Sequence, residues 1–180
     1  MGTSLGKNTF LIDFSGKFED CNESDCFDLE TVEEIRARAS AGTDLFVIVD
    51  TGYSSTMSEP FLVKDHLNLT GNNPLVGENN DIGQRFPVIN DVYLWKKCGD
   101  PALETLETLD QKVGAGLKPG VVPSDEEIAL INSLGADFYC YNLVPATIVA
   151  AHAGKKVCAI IVPPKMKPVK SFQNFLEGEK

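Results

Sequence analysis

Histidine is scarce in this chain: there are two, His66 and His152, well separated in the sequence. One falls in a strand-like stretch and the other in a helix-like stretch, so both read as structural hydrogen-bonding side chains. Positive charge is also in short supply. Sixteen Lys and Arg stand against 26 Asp and Glu, for a formal charge of −10 and a pI near 4.6. A net anion repels nucleic-acid phosphates instead of releasing their counterions, which excludes a nucleic-acid backbone as partner and leaves small neutral ligands and proteins. Long apolar runs are missing too. The opening MGTSLGKNTFLIDF is too brief in its apolar part for a signal sequence or a membrane span. Gly6 stands where a myristoylation pattern asks for Ser or Thr. Cysteines are few and odd in number. Cys21, Cys26, Cys98, Cys140 and Cys158 have no metal-ligand spacing, and reduced thiols of a soluble, cytoplasmic protein are the simplest reading. The acidic group Glu19, Asp20, Glu23, Asp25 and Asp28 lacks EF-hand spacing and reads as solvated surface. Gly114, Gly116 and Gly120 make no dinucleotide fingerprint. No metal and no cofactor is expected.

What is present suits one globular domain over residues 1–180, with 43% hydrophobic and 23% charged residues. Such a chain buries about two thirds of its unfolded surface and needs no disulfide or metal staple. Apolar spacing predicts strands at 9–14, 45–49, 61–69, 137–142 and 157–162, the second a continuous LFVIV run that suits burial on both faces. Helices are predicted at 29–39, from the face Leu29, Val32, Ile35 and Ala39, at 124–134, where Ser124 and Glu127 form a capping box, and at 145–153. Leu103, Leu106 and Leu109 suggest a further helix, whereas GAGLKPG at 114–120 is too rich in glycine for a confident strand. The alternation implies an α/β domain, a sheet with helices on both sides.

The densest pattern is HLNLTGNNPLVGENNDIGQRFPVINDVY, from His66 to Tyr93. The order Asp65, His66, Leu67, Asn68, Leu69, then Asn73, Pro74, Leu75, then Gly77, Glu78, Asn79, then Arg85, Phe86, Pro87, closing on Asp91 and Tyr93, resembles the trimeric purine nucleoside phosphorylases. Three other stretches extend the resemblance. LGADFYCYNLVPATIVAAHAGKKV at 134–157 is similar to the family's GMSTVPE turn and following helix, GTDLFVIVDTGY at 42–53 to the strand ending in its NAAGG turn, and SGKFED at 15–20 to its GRFHMYEG turn.

The resemblance implies the phosphorylase fold, a single α/β domain with a central mixed β-sheet flanked by helices, truncated at both ends, with phosphate as co-substrate if the chain is active. It places Lys17, Thr51 and Asn142 at phosphate contacts and Tyr141 and Phe86 at nucleoside contacts, with Arg85 and Phe86 at the subunit contact. Several of these are substitutions. Lys17 replaces an arginine and loses its bidentate fork, and Glu19 stands where a histidine faces the anion. Asn142 replaces the serine of the GMSTV turn, Tyr141 its methionine, and Cys21 a tyrosine, while Pro123 falls at about the place of a base-reading glutamate. Asp50 puts a carboxylate beside the turn that would cradle phosphate. The expectation is a homotrimer, or a hetero-oligomer with a full-length paralogue, that binds a purine nucleoside or base with impaired or lost phosphorolysis. The alternative is an active phosphorylase with a rebuilt site.

Overall fold

The computed structural model describes residues 2–6, 8–15, 27–79, 82–94 and 109–164. Among them seven strands form one sheet: β1 (Gly2–Gly6), β2 (Thr9–Asp13), β3 (Leu45–Thr51), β4 (Phe61–Leu69), β5 (Gln111–Leu117), β6 (Phe138–Cys140) and β7 (Lys156–Val162). Their spatial order is β1-β2-β3-β7-β4-β5-β6. β2, β3 and β7 run parallel to one another, as do β4, β5 and β6. The two sets meet antiparallel, with Phe61 and Leu62 of β4 facing Ile161 and Ile160 of β7, and β1 is antiparallel to β2. The sheet is therefore mixed, as expected.

Burial follows the strand period. Phe46 and Ile48 of β3 and Val157, Ala159 and Ile161 of β7 point into one core, while Leu45, Val47, Val49, Cys158, Ile160 and Val162 point to the other face. The first core is covered by α1 (Leu29–Ser40) and α3 (Leu143–His152). α1 contributes Val32, Ile35 and Ala39, and it starts at Asp28, whose carboxylate accepts from the Thr31 amide at 2.7 Å. α3 has no polar face: every residue from Leu143 to His152 except Pro145 is buried, the mark of a core helix. It begins two residues before the predicted start, so Pro145 lies in the first turn, where its missing N–H leaves no bond unmade. α2 (Asp125–Ser133) packs Ile131 against Ala115, Leu117 and Ala136. Its predicted capping box is present, with Glu127 Oε2 accepting from the Ser124 amide at 2.8 Å and Ser124 Oγ from the Glu127 amide at 3.3 Å.

Two sequence expectations change. The glycine-rich stretch is a strand through Leu117. A Cβ on Gly114 would stand 2.6 Å from the Phe138 ring and one on Gly116 2.7 Å from Val144, so these glycines serve close packing. The first residues form β1, which periodicity did not reveal. The patterned segment opens in β4, where His66 to Leu69 complete the strand predicted over 61–69. At its far end, the Leu94 amide donates to the Val157 carbonyl and the Val157 amide to the Val92 carbonyl. Leu109 lies outside any helix, and the rest of that predicted helix falls outside the described residues.

One further connection curls the sheet. Beyond β3, Tyr53 and Tyr139 of β6 exchange backbone hydrogen bonds at 2.9 and 3.1 Å, and the Gly52 amide donates to Val162. Gly52 has no alternative residue at low cost, since a Cβ there would run into the Ile161 side chain. The carboxyl ends of β3 and β6, far apart in sheet order, are thereby brought together.

Candidate functional site

The junction of β3, β6 and α3 holds a buried carboxylate. Asp50, the sixth residue of β3, is 1% exposed. Its Oδ2 accepts from the backbone amides of Asn142 and Leu143, both at 2.9 Å, which are the first amides of α3. Its Oδ1 accepts from the Thr51 amide at 2.9 Å and from Asn142 Nδ2 at 3.2 Å. Burial pushes the carboxyl above its ordinary range, and these four donors pull it back. All four present hydrogens, so a proton on either oxygen would have no acceptor there, and the geometry suits the carboxylate form.

Asn142 is turned inward. Its Nδ2 faces Asp50, its Oδ1 accepts from the Phe27 amide at 2.8 Å, and no side-chain surface is exposed. Thr51 is buried beside it. Of the sequence-predicted phosphate contacts, Thr51 and Asn142 therefore meet around Asp50, while Lys17 lies outside the described residues, as do Glu19 and Cys21. Burial and the charge of Asp50 together push the Cys140 thiol well up, so it is held neutral. Cys158 is a second buried cysteine, on β7.

Beside this junction opens a cavity of about 770 Å³, lined by Phe27, Thr70, Asn72, Lys118, Tyr141 and Pro145 among others. Tyr141 is 3% exposed and its hydroxyl donates to the Val121 carbonyl at 2.7 Å, which ties the segment before α2 to the site. Its ring meets Tyr53 and Tyr139 edge-on, with centroids 5.8 and 5.9 Å apart, and those two stack on each other at 5.1 Å. Such aromatic contacts fix the strand ends that carry Asp50 and Asn142.

Phe86 and Arg85 stand elsewhere, on the patterned loop. Phe86 is 85% exposed, with exposed Val76 and Val88 on the same loop, and the Arg85 guanidinium donates to the Gly77 carbonyl. Both histidines hold this loop to the body. His66 Nδ1 and the Tyr93 hydroxyl are 2.7 Å apart, and that hydroxyl donates to Thr147 on α3 at 3.4 Å, so the proton between His66 and Tyr93 belongs to the imidazole. At the end of α3, His152 Nε2 lies 2.8 Å from Asn79 Oδ1, while Asn79 Nδ2 donates to the Gly83 carbonyl at 2.7 Å. Asn79 thus presents its oxygen to His152, whose Nε2 must be the donor. Burial lowers the pKa of both imidazoles, opposed by Asp65 at His66 and reinforced by Arg36 and Arg85 at His152. Burial also raises that of the Tyr93 hydroxyl. These ties were not read from the sequence; the signal was the recurrence of His, Asn and Tyr within the one patterned segment. Among the described residues, no group of three or more His, Cys, Asp or Glu is placed to hold a metal ion. No helix among them is long and apolar enough to cross a membrane.

No protein-family profile matches the chain. It is 30% identical over 135 residues to purine nucleoside phosphorylase 1 of Geobacillus stearothermophilus, covering 70% of this chain and 49% of that protein. The purine nucleoside phosphorylase of Mycobacterium tuberculosis is likewise 30% identical over 133 residues, covering 72% of this chain and 47% of that protein. The solved structure of a Schistosoma purine nucleoside phosphorylase in complex with guanosine superposes with a TM-score of 0.69 at 21% identity, over 83% of this chain and 67% of that one. The chain is a relative of the purine nucleoside phosphorylases. It spans about half the length of the curated relatives it matches, and the likeness to the Schistosoma phosphorylase extends the phosphorylase fold across the mixed sheet described above. The phosphorylase resemblance of the NAAGG-like and GMSTV-like turns falls on Asp50, Thr51 and Gly52 and on Tyr141 and Asn142, the residues that the curled sheet brings into contact.

Proposed function

We propose that this phosphorylase relative has impaired or lost phosphorolysis and acts as a nucleoside-binding or structural subunit. The observation that carries this reading is the Asp50 carboxylate on the amides that open α3. Asn142, which takes the place of the serine that would touch phosphate, is turned inward to that carboxylate and to Phe27. A phosphate nucleophile must be held as an oriented anion before it can attack a glycosidic carbon. With a fixed negative charge at these donors, that requirement is poorly met.

The cavity beside Tyr141 is the place for a purine nucleoside or base, with no other cofactor. The exposed Phe86, Val76 and Val88 supply an apolar face for assembly, as a homotrimer or with a full-length paralogue. A cyclic trimer joins unlike surfaces, so the same aromatic on every subunit meets a different surface on its neighbour. A single domain in the cytoplasm fits the composition.

Spectrophotometric assay with inosine, guanosine or adenosine plus phosphate tests the reading. Little or no turnover is expected, and Lys17→Arg combined with Glu19→His should not restore full activity, because groups that act as a unit do not contribute additively. Turnover at an ordinary rate of about 1 per second or more would establish the active phosphorylase instead.

A further inference from the structure

Asp50 does more than sit near an anion-binding turn. Its two oxygens collect four N–H donors from three residues, on two different elements, at a position only 1% exposed. The donors comprise the two amides at the start of α3, the amide that follows Asp50 itself, and the side-chain amide of Asn142. Oriented backbone amides at a helix start, joined by a side-chain N–H, are the donor set with which proteins hold phosphate or a carboxylate from solution. Here the anion is covalently part of the chain, and Asn142 is locked in its donor orientation by the Phe27 amide on its oxygen.

We propose that Asp50 is the specificity-determining residue of this site, an internal carboxylate that takes the place of a bound oxyanion and closes the junction of β3 and α3 to inorganic phosphate. The proposal deepens the functional reading and rests on it for the identity of the excluded anion. Two consequences distinguish occupancy from a general electrostatic effect. The intact chain is indifferent to phosphate, because its donors are already used. Removing the side chain leaves a receptacle shaped for the two oxygens of a carboxylate, which formate matches in size and charge.

The test is thermal melting of the full chain in chloride, formate and phosphate at equal ionic strength, with wild type, Asp50→Gly and Asp50→Asn, and equilibrium dialysis of labelled phosphate against wild type. Wild type should melt alike in all three salts and show no saturable phosphate binding. Asp50→Gly should melt lower in chloride and be raised saturably by formate; if it does not fold in chloride, formate should restore folding. Asp50→Asn keeps an oxygen in the receptacle and should gain at least ten-fold less from formate, read as the midpoint concentration. Saturable phosphate binding by an inactive wild type would overturn the role of Asp50 while leaving lost phosphorolysis intact. An Asp50→Gly protein that no formate concentration stabilises or refolds would overturn it as well. Rescue of Asp50→Asn equal to that of Asp50→Gly would show that charge alone, and not occupancy, governs the site.

Discussion

Replacing Tyr93 with phenylalanine isolates one hydroxyl that joins three parts of the molecule. The ring is 6% exposed and would stay in place, since phenylalanine fills the same core volume. What disappears is the partner of His66 Nδ1 at 2.7 Å and of the Thr147 hydroxyl at 3.4 Å. Thr147 is fully buried, and its oxygen loses only a long contact from the Tyr93 hydroxyl, the smaller part of the change. His66 is half-buried and regains water only in part. One net hydrogen bond plus a partly orphaned imidazole N–H comes to about 1–2 kcal/mol. In a domain of this size that lowers the melting temperature by about 2–8 °C. Calorimetry at neutral pH reads it directly, and a cycle with Thr147→Val separates the helix contact from the histidine contact. A melting temperature within about 1 °C of wild type would refute the tie between strand, loop and helix.

Gly83→Ala should be costlier than an exposed loop substitution, by about 1–3 kcal/mol, because its Cβ would run into the His152 carbonyl; cleavage of the 77–94 loop by protease should accelerate, and an unchanged rate would sink the idea. For His152→Gln the readout is pH dependence. The folded imidazole has its pKa lowered from 6.5, so below that value the unfolded chain binds more protons and stability falls with pH. Urea midpoints taken from about pH 7.5 to about pH 5.5 should decline less steeply in the variant; equal slopes would contradict the tautomer and burial assigned to His152. Phe86→Ala should leave folding within about 0.5 kcal/mol yet weaken self-association by about 1.5–3 kcal/mol per contact, measured by sedimentation, and a monomeric wild type at micromolar concentration would remove its basis.

The strands buried on both faces were legible because LFVIV and VCAIIV leave no polar side to present, and α2 was legible because Ser124 and Glu127 announce its first turn. β5 was not, since its glycines answer to Phe138 and Val144, which approach from distant parts of the chain. Local composition carries no trace of such a neighbour. The same holds at the site. The NAAGG-like and GMSTV-like turns could be placed from their pattern, and Asp50 stood out as a charge beside one of them. That its carboxylate reaches the amides of residues 142 and 143 depends on a contact across more than ninety positions, made by the curl between Tyr53 and Tyr139. Asn142 likewise looks like an available donor in sequence and is consumed in the fold.

The place of β7 in the sheet sets a schedule on the ribosome. Residues 156–162 enter between β3 and β4, pairing Leu45 through Thr51 on one side and Phe61 and Leu62 on the other. A chain emerging from its amino end can register β2 with β3, and β4 with β5, but each half then waits with an apolar edge open until β7 arrives. The strands in waiting include Phe46, Val47 and Ile48, among the most completely enclosed residues of the finished molecule. Nascent chains stalled before Lys156 are therefore the species in which chaperone engagement and edge-to-edge aggregation should concentrate.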